Sequence, residues 1–375
     1  ASIHMNINKG VIMNNFKKIG LTALAGSLVA VSAQAGEMSV SAGANLTYKH
    51  GSAISGNSSR GIGSDMDVAF SGGGELDNGT TFSVNTATLD SVSGLTSSYI
   101  TISTPSFGTF TVGHSFGSGS GKYDEEVPQV YEQVSDPHHT NIASANKIGD
   151  FMDNNVIAYT SPSFDLGGAS LTVDAAYSPE ATDSRVGDGG NPSHSSTIGD
   201  GKELGVTLAF EGFKAGVYAA ERSLQQTVAT TDDAVRDEFN GVWYAKYSFG
   251  PVAIGYSESY LDAGVSETAA VATDADKTYR TSGGIFENTQ MSIAFNVNEN
   301  FSISYTDSED TYDAQSHVSS GTEIADVTAD IEAIQFAYSM GGMSIKAYQM
   351  EVTNHSFNEV NGKMKETEIA LGLAF

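Results

Sequence analysis

The densest chemistry in the chain is an acidic run, Tyr123-Asp124-Glu125-Glu126-Val127-Pro128, preceded by a glycine-serine stretch at 117–121. Three neighbouring carboxylates held in a confined space set up a negative potential that favours cations, whereas on an open loop they form a solvated patch. Spacing alone leaves both readings open. Asp136 follows, close to His138 and His139. Adjacent histidines on an extended segment point to opposite faces, so joint metal ligation is disfavoured and solvated loop residues are the better reading. No stretch repeats the D-x-[DN]-x-[DN]-G calcium loop, so no cofactor is expected beyond weak Ca²⁺ or Mg²⁺ at acidic loops. No G-x-S-x-G elbow occurs, and the glycine runs at 72–74 and 283–284 lack the strand-to-helix setting of a phosphate loop. The chain does not read as an enzyme.

Composition narrows the classes. The 375 residues carry 45 acidic and 18 basic side chains, a formal charge of −27, which excludes a nucleic-acid binder. There is no cysteine, so disulfides and thiolate metal sites are impossible. Sixteen Tyr and 18 Phe argue against intrinsic disorder. No apolar run approaches the roughly 20 residues of a membrane-spanning helix. Near the start, Lys17 and Lys18 precede a small and apolar stretch at 19–31 and then Ala33-Gln34-Ala35. That order reads as a secretory signal peptide cut after Ala35. Residues 1–12 are then upstream or cloning-derived, 13–35 the signal, and 36–375 one domain. Cleavage removes three lysines and no acid, so the mature chain is more acidic still.

Beyond Gly36 the dominant pattern is alternation with period two in segments of about ten residues. At the end, Glu366, Glu368, Ala370, Gly372 and Ala374 interleave with Ile369, Leu371, Leu373 and Phe375. About sixteen such strands are predicted: 37–49, 64–76, 80–90, 95–104, 107–116, 154–161, 169–178, 202–211, 212–222, 238–249, 251–260, 283–297, 300–308, 329–340, 342–352 and 363–375. Their connections alternate between tight turns and long loops, apart from a brief one at 91–94. The second face is Ser, Thr, Ala, Gly and Asn, too small and polar for a packed core yet too regular to be incidental. These features predict an all-β transmembrane antiparallel barrel with short periplasmic turns and long external loops, lipid on the apolar face and water within. Tyr48, Phe116, Tyr177, Phe249, Tyr260 and Tyr338 are candidates for interfacial girdles.

The start Gly43-Ala44-Asn45-Leu46-Thr47-Tyr48, the run YITISTPSFGTFTVGHS at 99–115 and the terminal Ala370-Leu371-Gly372-Leu373-Ala374-Phe375 resemble a Gram-negative bacterial porin. The resemblance implies passive diffusion of small hydrophilic solutes and ions through a homotrimer of 16-stranded barrels in the outer membrane, among lipid and lipopolysaccharide. It also implies a third loop, about 117–153, folded into the pore. Tyr123, Asp124, Glu125, Glu126 and Asp136 would then line the constriction and give weak cation selectivity. One departure stands out: Gly113-His114 occupies the place of the family's Gly-Arg pair. Strict alternation turns His114 toward lipid, but a bulge at Gly113 would return it to the lumen, and His114 is expected on the pore wall. Parity also proposes Asp67, Asp174, Glu203, Glu366 and Glu368 on the pore wall against Lys49, Lys214, Arg222, Lys246 and Lys346, two sets that nearly cancel. The remaining negative charge is then assigned to external loops, including Asp307, Glu309, Asp310 and Asp313. Two alternatives stay open. Tyr99, Tyr218, Tyr244 and Tyr348 would suit a solute-specific porin, and a secreted all-β adhesin would share the strand pattern.

Overall fold

The computed structural model describes residues 37–374 apart from 53–57, 89–94, 117–121, 125, 135–151, 153, 182–197, 225–236, 265–283, 314, 316–324, 358 and 360–362. The order is β1 (Glu37–Ser52), β2 (Ser58–Glu75), β3 (Thr81–Thr88), β4 (Leu95–Thr104), β5 (Gly108–His114), β6 (Val156–Thr160), β7 (Phe164–Asp165), β8 (Ala169–Ser178) and β9 (Ile198–Phe210). It continues with β10 (Phe213–Leu224), β11 (Glu238–Phe249), β12 (Val252–Asp262), β13 (Ile285–Asn296), β14 (Phe301–Asp313), β15 (Val327–Met340), β16 (Met343–Thr353) and β17 (Lys363–Ala374).

Neighbours along the chain pair antiparallel, and β1 closes on β17 from Gly43↔Ala374 to Gly51↔Glu366. Closure leaves no edge, the condition for backbone groups at membrane depth. β6 and β7 both pair with β8, so they occupy one position in the wall. Pro162, which lacks an N–H, lies between them, and one extra residue is accommodated there. The wall therefore has sixteen strand positions, as predicted.

The two faces differ as the alternation requires. Met38, Val40, Leu46, Ile100, Phe110, Trp243, Ile293, Phe336 and Ile369 are exposed on the outside, where an isolated barrel presents its lipid-facing side chains. The alternate positions point inward and include Ser257, Ser292, Ser304, Thr306, Gln335 and Ala337, all buried. β14 runs further than predicted, so Asp307, Glu309, Asp310 and Asp313 belong to a strand rather than a loop. The register carries the alternation past 308: Asp310 joins the buried inner row with Ser308 and Tyr312, and the other three lie on the outer row.

Candidate pore and constriction

The third loop leaves β5, enters the barrel and runs along the inner wall from β8 to β17. Tyr123, Glu126, Val127, Val130 and Val134 are buried, unusual for the long connection of a barrel and explained by what they meet. The Tyr123 hydroxyl donates to Asp174 Oδ2 on β8 at 3.1 Å and accepts from Thr207 on β9 at 3.1 Å. Lys122 pairs with the same Asp174 and donates to Thr160 at 2.7 Å. The Tyr123 ring stacks on Tyr218 at 5.2 Å and lies over Gly205, where a Cβ would come within 2.6 Å of it. Burial pushes the Tyr123 hydroxyl above its ordinary pKa, so it stays a donor.

Glu126 comes next. Its carboxylate pairs with Lys246 on β11 and lies 3.5 Å from Lys214 Nζ on β10. Pro128 then crosses Gly255 on β12, where a Cβ would meet Pro128 Cδ at 2.5 Å, and its carbonyl accepts from Ser292 on β13. Val130 N–H donates to Ser304 on β14 at 3.2 Å, and Tyr131 N–H donates to Gln335 on β15 at 2.9 Å. The Gln335 amide donates back to Glu132 O at 2.6 Å. The Tyr131 hydroxyl reaches Glu368 on β17, and Lys346 Nζ stands 5.3 Å from the Tyr131 ring centroid. Burial and the bond to Glu368 hold the Tyr131 hydroxyl above its ordinary pKa. Glu368 and Glu366 also share Lys49, at 2.9 and 3.7 Å, while Tyr348 donates to Glu366. Backbone and side chain alternate as anchors, so the loop is stitched to the wall rather than resting on it.

Most residues expected at the pore are brought together. Tyr123, Glu126, Asp174, Lys214, Lys246, Lys346, Glu366 and Glu368 form the seam just described. Asp67 lies on the inner row of β2, opposite Gly43. Asp124 is half-buried, with Gln133 donating to its carboxylate at 3.3 Å. Glu125 and Asp136 lie outside the described residues. Glu126 plays a different part from the one expected: its buried carboxylate is held by two lysines, so it anchors the loop.

His114 departs from the pore-wall expectation. The β4–β5 register runs unshifted through Gly113, pairing His114 with Ser98 on the row of Ile100, Val112 and Phe110. That row faces outward, and His114 Nδ1 accepts from Asn155 N–H at 3.3 Å. Gly113 does take a positive φ of 154°, but with no residue inserted it does not reverse the facing. Lys122, Tyr131, Glu132 and Gln133 escaped the sequence reading, because nothing in their spacing tells which wall residue each would meet. Among the described residues, no group of three or more His, Asp and Glu gathers as a metal site.

The Gram-negative porin family profile matches residues 20–372. No curated protein matches the chain. Among solved structures, an anion-selective porin from Comamonas acidovorans superposes with a TM-score of 0.63 at 14% identity, covering 90% of this chain and 100% of that one. OmpF of Salmonella typhi, in complex with daunomycin, gives 0.61 at 13% identity, over 90% and 97% of the two chains. OmpT of Vibrio cholerae gives 0.58 at 13%, over 92% and 99%. At such identities the likeness carries the fold. The family match and the closed barrel with its inward loop carry the rest: the chain belongs to the Gram-negative porin family and forms a diffusion channel in the outer membrane.

Proposed function

We propose that this porin passes small hydrophilic solutes and ions without turnover, with weak cation preference. The observation that carries the proposal is the third loop, whose described segment is stitched across the inner wall from β8 to β17. Each seam lysine has a carboxylate or ring against it, and Lys214 and Lys246 share the single Glu126. Asp65 and Asp67 on the inner row of β2, with Asp124 and Glu132 on the loop, add acids, so carboxylates outnumber lysines among these groups. Such an excess raises the local cation concentration within a Debye length, about 8 Å at physiological salt. The anion-selective porin from Comamonas shares the barrel, and its selectivity stays with its own side chains.

A homotrimer is part of the proposal, supported by family membership and by the trimer form in which OmpT of Vibrio cholerae has been solved. Export by a signal peptide at 13–35, a mature barrel at 36–375, and contact with outer-leaflet lipid and lipopolysaccharide complete it. Divalent ions at the external acids are not included, since nothing among the described residues gathers them. The deciding experiment is a reversal potential across a planar bilayer in a salt gradient. Cation preference is expected, and clear anion preference overturns it. Purification as a monodisperse particle without detergent would favour the adhesin reading instead.

A further inference from the structure

We propose that the turn at 354–357, in the last external loop, is a second inward-folded element. It closes the β13–β16 side of the external mouth and holds the third loop at Val134, with Phe357 as the side chain that does both. This rests on the channel reading above.

Near the turns, the inner rows of β13 and β14 carry Ser292, Ala294, Ser302 and Ser304. Toward the external ends they change to Phe286 and Tyr312, and β15 adds Val327, Ala329 and Ile331, all buried. The outer rows change in the opposite sense, from Ile303, Tyr305, Ile334 and Phe336 to Asp307, Glu309, Glu332 and Asp330. Past this inversion the wall is built like that of a water-soluble barrel, and its apolar inner face needs a cover.

The cover comes from two loops. β16 ends at Thr353, Asn354 takes φ 53°, and its side chain donates to Thr328 O on β15 at 2.8 Å. The chain then turns through a one-turn 3₁₀ helix, His355–Phe357, whose two end side chains are fully buried. The Phe357 ring crosses β15 and meets Tyr312 at 5.3 Å and Phe286 at 5.8 Å, rings that are themselves 4.7 Å apart. Val134, from the third loop, is buried in the same cluster, and Tyr131 packs against it. The last loop and the third loop therefore share one apolar cluster, which Tyr131 enters through the Tyr348 ring, 5.8 Å away.

Two measurements on the full-length protein test this. The chain has no cysteine, so single cysteines report cleanly. A membrane-impermeant maleimide is expected to label Glu359→Cys, whose site is exposed, and to fail at Phe357→Cys. In planar bilayers, Phe357→Ala is expected to raise single-channel conductance and add closing events. Phe286→Ala should do the same, and the double variant should do no more than either single one. Equal labelling at both sites overturns the proposal, as does a Phe357→Ala channel with wild-type conductance and noise. A wild-type protein with no channel activity sinks the channel reading instead, and labelling alone then decides whether the turn lies inside.

Discussion

The barrel has two inner walls built on one backbone plan. On β1–β5 the inner row near the turns is short and hydroxylic, and its members bond one another: Ser39 with Ser71 at 2.7 Å, Thr101 with Thr111 at 3.3 Å, Ser103 with Thr109 at 2.9 Å. On β8–β17 the inner row holds tyrosines, lysines and long amides whose partners lie on the third loop. Outside, both arcs present a similar apolar face. A row of small hydroxyls closes its own hydrogen bonds and tolerates water, so it needs no cover. A row of Tyr218, Tyr244 and Gln335 does, and the loop supplies it. Where a loop lies within a barrel is thus encoded in the wall beneath it as much as in the loop.

The largest effect should come from breaking the ionic clamp. Glu126→Ala leaves Lys214 and Lys246 without their shared carboxylate. Removing one partner of a buried pair costs about 3–5 kcal/mol, toward the lower end where the remaining charges are partly solvated. The lysine side chains keep 30% and 25% of their surface exposed, which places this pair there. The heat-induced mobility shift should move to lower temperature, and the reversal potential toward anions. Asp67→Asn, on the β1–β5 arc, should shift the reversal potential in the same direction and lower the thermal transition less than the clamp variant does. Equal thermal loss at both sites would erase the distinction between the arcs.

Next come the glycines. Gly205 lies under the Tyr123 ring and Gly255 under Pro128, whereas a Cβ on Gly61, in β2, meets nothing within 4 Å. Overpacking costs typically about 1–3 kcal/mol. Gly205→Ala and Gly255→Ala should each lower the thermal midpoint in detergent and broaden conductance, with Gly61→Ala silent. A silent Gly255→Ala would mean that the loop rides above the wall.

The strands were legible because lipid on one side and water on the other enforce strict alternation over most of each segment. Glu368 and Lys49 could be assigned to the lumen by parity alone. Their pairing could not, since it depends on β17 closing on β1 across the whole chain. The same limit hid the partners of Glu126, which lie some 90 and 120 residues away. The place of His114 is not legible, because a glycine suggests a bulge and the register shows no inserted residue there. The inward turn at Phe357 did leave a signal: Phe286 and Tyr312 fall on the inner parity, among serines and amides, where bare aromatic rings have no reason to be.

A smaller effect is expected at Tyr131. A hydrogen bond to a charged group contributes about 1.5–3 kcal/mol, but Glu368 keeps Lys49, so Tyr131→Phe should lose less than that. The pH dependence is more telling. The folded hydroxyl titrates above the ordinary value of 10.0, so its contribution is complete below that pH and is lost as pH rises through the higher folded value. Tyr131→Phe should therefore flatten the alkaline limb of thermal stability while changing little near neutrality. An unchanged alkaline limb would place the hydroxyl in water and detach the loop from β17.

The smallest effect should fall where neither arc is involved. Asp165, at the turn between β7 and β8, accepts the N–H groups of Gly167 at 2.9 Å and Gly168 at 3.2 Å. Those two bonds hold its carboxyl below the ordinary value of 3.8. A depressed folded value contributes stability above the ordinary one and loses it as pH falls through the folded one. The side chain is fully exposed, so water competes for both bonds. Asp165→Ala should leave conductance and selectivity unchanged and lower the thermal midpoint slightly at neutral pH. The difference from wild type should vanish once the carboxyl is protonated. A change in conductance from this turn, on the opposite rim from the loops, would show that the wall transmits strain to the constriction and that the two arcs are not independent.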